Sequence, residues 1–261
     1  MSFRVATLFT LLMIASEANA ASTIRAGSGA NAAAIQAVVD LFRADLGAVR
    51  QEINWDGVPD NFASPNFLPG NFFNSRGAFF STPGQGVQVS ADSINPTSTP
   101  VRFSEINPTY SSIFQTFSAE RLFSPIGSNI VDLTFVVPGT NTAALTSGFG
   151  AVYADSDIAG VTSFQYFDAS GGSLGTFEVP TFNNGLSFLG VSFDSPSVSR
   201  VRIAYGNAAL GPNDGAGVDV AVMDDFIFGT PQNVPEASSL VMLLAAFLAC
   251  GLFWRKREAP L

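Results

Sequence analysis

Between residues 52 and 229 the chain is cut into short apolar segments, none long enough to continue into a helix. They cover residues 52–58, 77–81, 86–90, 130–137, 148–153, 163–168, 174–179, 186–193, 198–205 and 218–228, and Gly, Pro, Asn, Asp and Ser separate them. Val87-Gln88-Val89-Ser90 and Val201-Arg202-Ile203-Ala204-Tyr205 alternate large apolar side chains with polar or small ones, the period of a strand with one buried face. Asp168-Ala169-Ser170-Gly171-Gly172-Ser173 has the composition of a hairpin turn. Ten strands at this spacing, with no helices between them, predict an all-β fold over residues 52–230, an antiparallel β-sandwich. The 25 phenylalanines suit it, because large rings can fill the layer between two sheets.

One helix precedes the strands. Ile35, Val38, Val39, Phe42 and Leu46 recur at helical spacing after Asn31, and Gly47 stands where a C-terminal cap belongs. Residues 21–31 are small and polar and read as a flexible lead, so 21–51 is a lead segment plus a helix. Residues 59–76 and 91–112 form two long irregular stretches, places where a sandwich often carries a ligand site. The rings of Phe62, Phe67, Phe72 and Phe73 are expected instead to close the ends of the core.

Both ends of the chain point to export. Residues 1–20 read as a signal peptide, with Arg4 as the positive n-region, a short apolar stretch, and Ala18-Asn19-Ala20 as the small-residue cleavage site. A second apolar run, residues 238–254, is just long enough to cross a bilayer, and Arg255, Lys256 and Arg257 follow it. The positive-inside rule keeps that basic cluster in the cytoplasm and the preceding domain outside. The residues between the two ends hold eight arginines and eighteen acidic residues, near −10, which argues against nucleic acid or anionic lipid as partners of that domain. The single cysteine, Cys250, lies in the tail and there is no histidine, so the exported part has no disulfide and no soft-ligand zinc site.

Val234-Pro235-Glu236, then an apolar run, then Arg255-Lys256-Arg257 resembles the PEP-CTERM sorting signal of exopolysaccharide-producing Gram-negative bacteria. In that family the tripeptide is Pro-Glu-Pro; here Ala237 takes the place of the second proline. The resemblance covers residues 233–261. It implies export through the inner membrane, transient insertion through a C-terminal helix, recognition and cleavage by the membrane protease exosortase, and delivery to the cell surface or beyond. The stretches Arg121-Leu122-Phe123-Ser124-Pro125, Phe149-Gly150-Ala151-Val152-Tyr153-Ala154-Asp155, Tyr166-Phe167-Asp168, Leu186-Ser187-Phe188-Leu189-Gly190-Val191 and Met223-Asp224-Asp225-Phe226-Ile227-Phe228-Gly229 are similar to those of domains in many secreted proteins of this class. That likeness implies a jelly-roll fold of the carbohydrate-binding type and names no reaction.

Chemistry is sparse. No catalytic triad can be assembled without histidine, and the Walker, dinucleotide-binding and HExxH patterns are absent. The enzymatic alternative is a glycosidase with paired carboxylates, nominally Glu52 with Asp56 or Glu105 with Glu120. Calcium on oxygen ligands is the expected cofactor if there is one: Asp155-x-Asp157 follows a strand at a loop, and Asp225, in Asp224-Asp225, sits on the last strand. Adjacent strand residues point to opposite faces, so only one of Asp224 and Asp225 is expected in such a site. Asn54-x-Asp56 and Asn213-Asp214 with Asp219 are equally explained as turns. Trp55 is either a stacking face for a sugar or a core residue, since it shares strand parity with Ile53. The expectation is a non-enzymatic surface or matrix protein that binds extracellular polysaccharide, with a purely structural role as the other non-catalytic reading.

Overall fold

The computed structural model describes residues 21–93 and 99–233. The expected signal peptide and the sorting residues Val234, Pro235, Glu236, Arg255, Lys256 and Arg257 lie outside the described residues. Among the described residues no helix is long and apolar enough to cross a membrane. In chain order the elements are β1 (Ser22–Gly29), α1 (Ala32–Leu46), β2 (Arg50–Ile53), β3 (Ala78–Ser81), β4 (Gly86–Val89), α2 (Tyr110–Ile113), β5 (Phe123–Ile126), β6 (Ile130–Phe135) and β7 (Ala144–Leu145), followed by β8 (Gly148–Ser156), β9 (Ser163–Phe167), β10 (Ser173–Glu178), β11 (Phe182–Phe193), β12 (Arg200–Ala204), β13 (Val222–Gly229) and β14 (Gln232–Asn233). Each of the ten expected segments contains a strand, but the first stops at Ile53 rather than 58 and the last begins at Val222 rather than 218.

Twelve of the strands form two packed antiparallel sheets, and β7 pairs with β14 in a small third one. One runs β1-β11-β8-β13-β5-β4, with β2 on the same edge of β13 as β5; the other runs β10-β9-β12-β6-β3. β5 meets β13 only at Phe123, and β2 takes over from Phe226 to Gly229. Pro125, which has no N–H to give, therefore lies beyond the β13 pairing of its strand. In the five-stranded sheet the alternation is clean. Val131, Leu133, Phe164, Tyr166, Val201 and Ile203 are buried, whereas Asp132, Thr134, Gln165 and Arg202 reach the surface.

The seven-stranded sheet is covered on both faces. Phe149, Ala151, Tyr153, Leu189, Val191, Phe226 and Phe228 face the second sheet, and Val152, Ala154, Phe188, Val222 and Ile227 face α1 and the segment around Phe103, Tyr110 and Phe114. Helix α1 starts where its caps require. Asn31 accepts the Ala34 N–H at 3.2 Å, and Gly47, at φ +75°, donates its N–H to the Ala44 carbonyl. It buries Ile35, Val39 and Phe42. Gly150 and Gly190 pair across β8 and β11 beneath Phe42; a Cβ at Gly190 would come within 2.6 Å of that ring, and one at Gly150 within 2.7 Å. The two glycines form the seat of the helix.

Residues 21–31 are not the expected flexible lead. Ser22–Gly29 pairs along its whole length with β11, from Ser22 opposite Phe193 to Gly29 opposite Leu186. Its small residues are what α1 demands. A Cβ at Gly29 would lie 2.4 Å from the Ala34 side chain, and one at Gly27 would lie 3.0 Å from Val38. In the 59–76 stretch Phe62, Phe72 and Phe73 pack against the sandwich core, and Phe67 remains 44% exposed.

Candidate functional site

The acidic residues singled out in the sequence fall into two groups. The first closes one end of the sandwich, where β8 stops. Asp155 is a buried residue at φ +63°, in the left-handed region that non-glycine residues rarely occupy. Asn184, also left-handed at φ +53°, sits in the irregularity of β11 between Phe182 and Leu186, and its N–H donates to Asp155 Oδ1 at 2.7 Å. Each strained residue therefore holds the other. Asp219, fully buried just before β13, accepts the N–H groups of Asp157 at 3.1 Å and Ile158 at 2.9 Å through Oδ2. That carboxyl fixes the turn that carries Asp157.

A cavity of about 370 Å³ opens there, lined by Asp155, Asp157, Asn183, Asn184 and Asp214, with Ile113, Ile158 and Val218 as its apolar part. Burial pushes the Asp155 carboxyl up to about 7; the Asn184 N–H partly opposes this, and the neighbouring Asp157 and Asp214 charges add to it. Burial also raises Asp214 and Asp219. The cavity thus presents carboxyls together with two carboxamides, a wall that can both donate and accept hydrogen bonds.

The second group surrounds a β-bulge. Met223 pairs with Tyr153 and Phe226 with Ala151, so Asp224 and Asp225 together stand opposite Val152. The extra residue returns Met223 and Phe226 to the same buried face, and it overturns the expectation that the two aspartates diverge. Asp224 accepts the N–H of Phe117 at 2.6 Å and the Ser118 hydroxyl at 3.0 Å, and Asp225, also buried, lies on the side of Arg43. Arg43 lies 3.8 Å from Asp225 and 2.9 Å from Glu52. Burial, with the Asp225 charge beside it, drives the Asp224 carboxyl well above the usual carboxylate range.

The expected calcium ligands are not assembled. Asp155 and Asp157 belong to the end cavity and Asp225 to the bulge, and among the described residues no group of three or more His, Cys, Asp or Glu side chains is placed to hold a metal ion. Trp55 takes the core alternative. It is 1% exposed, stacks on Phe123 with ring centroids 4.3 Å apart, and cannot offer a face to a sugar. Its backbone is left-handed at φ +64°, so strand parity did not govern its placement.

The nominal carboxylate pairs are also regrouped. Glu52 is held by Arg43 and Arg50, and Glu105 accepts the Ser64 hydroxyl. Asp56 and Glu120, one from each expected pair, instead line a single cavity of about 140 Å³ with Asp92. Asn183 and Asn184 were not foreseen. The Asn-Asn-Gly run was their only signal, because asparagine tolerates the left-handed conformation better than most residues.

No known protein family matches the chain, and none of the curated proteins does. Among solved structures, the enzymatically active domain of tailspike protein 4 of bacteriophage CBA120 aligns at 13% identity and a TM-score of 0.23, over 66% of this chain and 20% of that one. At that score the likeness carries no argument about fold or activity.

Proposed function

We propose that the chain is an exported surface or matrix protein whose jelly-roll-like sandwich binds extracellular polysaccharide without hydrolysing it. The observation that carries this reading is the mixed lining of the end cavity. Carboxyls and carboxamides suit the hydroxyls of a sugar, and Ile113 and Val218 suit its C–H face. Its volume admits a residue or two of a glycan rather than a long chain, which fits recognition of a terminus or branch. Successive strands crossing from one sheet to the other support the jelly-roll description. The tail resemblance supports export and sorting by exosortase.

Pull-down of the full chain on exopolysaccharide, with Asn183→Ala and Asp214→Ala as variants, tests this. Retention is expected for the parent and at least a tenfold loss for each variant. Equal retention of all three, or none by the parent, overturns the reading.

One observation favours a second reading, a glycosidase. Asp56 and Glu120 share a cavity and are pushed in opposite directions, Asp56 upward by burial and Glu120 downward by the hydroxyl and N–H of Ser93. Release of reducing ends from the same polysaccharide, lost in both Asp56→Asn and Glu120→Gln, would establish it in place of simple binding.

A further inference from the structure

The end cavity and the point where the chain leaves the sandwich lie at opposite ends of one strand. β13 begins at Val222, opposite Ala154 and beside the Asp155 cavity, and finishes at Gly229, opposite Arg50. Seven residue steps of about 3.3 Å separate the two ends by about 23 Å. Past Gly229 the chain stays attached. Thr230 donates its N–H to the Val49 carbonyl at 3.3 Å, and Gln232 and Asn233 pair with Leu145 and Ala144.

From Asn233 only four residues precede the apolar run at 238–254. Fully extended, they allow about 17 Å between the β14 end of the sandwich and the first residue of that run. The surface at this end carries acidic groups, Asp168 beside Ala143 and Ala144 and the exposed Asp194, but also apolar and cationic ones. Val49, beside Thr230, is 68% exposed, more than any other large hydrophobic side chain described. Arg76 is exposed, makes no ion pair among the described residues, and adjoins Gly77, where a Cβ would lie 2.9 Å from the Pro231 ring. Arg50, on the same side, is paired with Glu52.

An exposed aliphatic side chain and an exposed guanidinium, which lies over the Phe73 ring and is free of carboxylate partners among the described residues, suit the headgroup layer of a bilayer, where apolar and cationic groups are both accommodated. We propose that the β7–β14 end of the sandwich rests on the surface of the membrane that residues 238–254 enter, and that the Asp155 cavity is thereby presented at the far end, away from the lipid. This rests on reading the tail as a membrane segment. The tether is too short for the domain to turn over and bring the cavity to the bilayer.

The test uses the full chain, tail intact, with Cys250→Ser, reconstituted in phosphatidylethanolamine–phosphatidylglycerol vesicles. Single cysteines placed by Val49→Cys and Asn213→Cys, the latter exposed at the cavity end, carry nitroxide labels. The chain is expected to float with the vesicles. The label at position 49 should lose accessibility to a water-soluble nickel chelate several-fold on reconstitution, while the label at position 213 stays as accessible as in detergent. Equal accessibility at the two sites, or greater protection at 213, in vesicles that do carry the chain overturns the orientation alone. Failure to float overturns the tail reading and the orientation with it.

Discussion

The indole N–H of Trp55 donates to the main-chain carbonyl of Asp224 at 2.7 Å, across 169 residues of sequence. The bond joins the start of the first long loop to the bulge of the last long strand, and the ring packs among Phe73, Phe80, Phe123 and Phe226. Trp55→Ala removes both the ring and the donor. It should cost about 3–5 kcal/mol in urea unfolding, and Trp55→Phe about 1–3 kcal/mol, because a ring remains but the buried carbonyl loses its partner.

Asp224 anchors the segment that covers the outer face of the seven-stranded sheet. Asp224→Ala should cost about 2–3 kcal/mol, since the N–H groups of Phe117 and Ser118 lose a buried acceptor. Asp224→Asn keeps an acceptor oxygen and adds no charge, so it should stay within about 1 kcal/mol of the parent. Denaturant midpoints of the two variants check the contrast. Equal losses would mean that the charge, rather than the acceptor, is what holds the segment.

The glycine seat beneath Phe42 makes a prediction of opposite type, overpacking. Gly190→Ala should destabilise by about 1–3 kcal/mol, and Phe42→Leu in the same chain should recover part of that loss, because the added methyl then has room. A double-mutant cycle by thermal unfolding measures the coupling. Strict additivity would place the strain elsewhere.

Asp155 makes stability depend on pH. With its folded pKa raised from 3.8 to about 7, the native protein holds a proton that the unfolded chain has already released, so stability falls as pH rises from about 4 to about 7. Asp155→Asn keeps an acceptor for the Asn184 N–H and removes the buried charge. The variant should be more stable than the parent by about 1–2 kcal/mol near pH 8, a figure reduced for the open cavity at its side, and the gain should vanish near pH 4. Urea unfolding at the two pH values checks both the sign and the window.

The ten strands were legible because their buried faces are made of large side chains at strand spacing, and α1 was legible because Asn31 and Gly47 cap a regular apolar stripe. β1 was not. Arg25, Gly27 and Gly29 are small or polar because α1 lies directly over them, so the strand lacks the alternation that marks one. The bulge was hidden for a related reason, since two consecutive aspartates give no sign that they share one partner. At the candidate site Asp155 and Asp157 stood out by their spacing. Asp225 did not join them, because sequence spacing cannot show that the bulge belongs to a different cluster.

The pairing of the first strand with one of the last has a consequence for synthesis. At about 5–20 residues per second, the 169 residues between Trp55 and Asp224 take roughly 8–34 s to appear, and until then the indole has no acceptor and β2 has no neighbour. β1 waits almost as long for β11. A nascent chain with this wiring cannot close its larger sheet early. It stays open while it is being made, which is the state a polypeptide must be in to be threaded across a membrane.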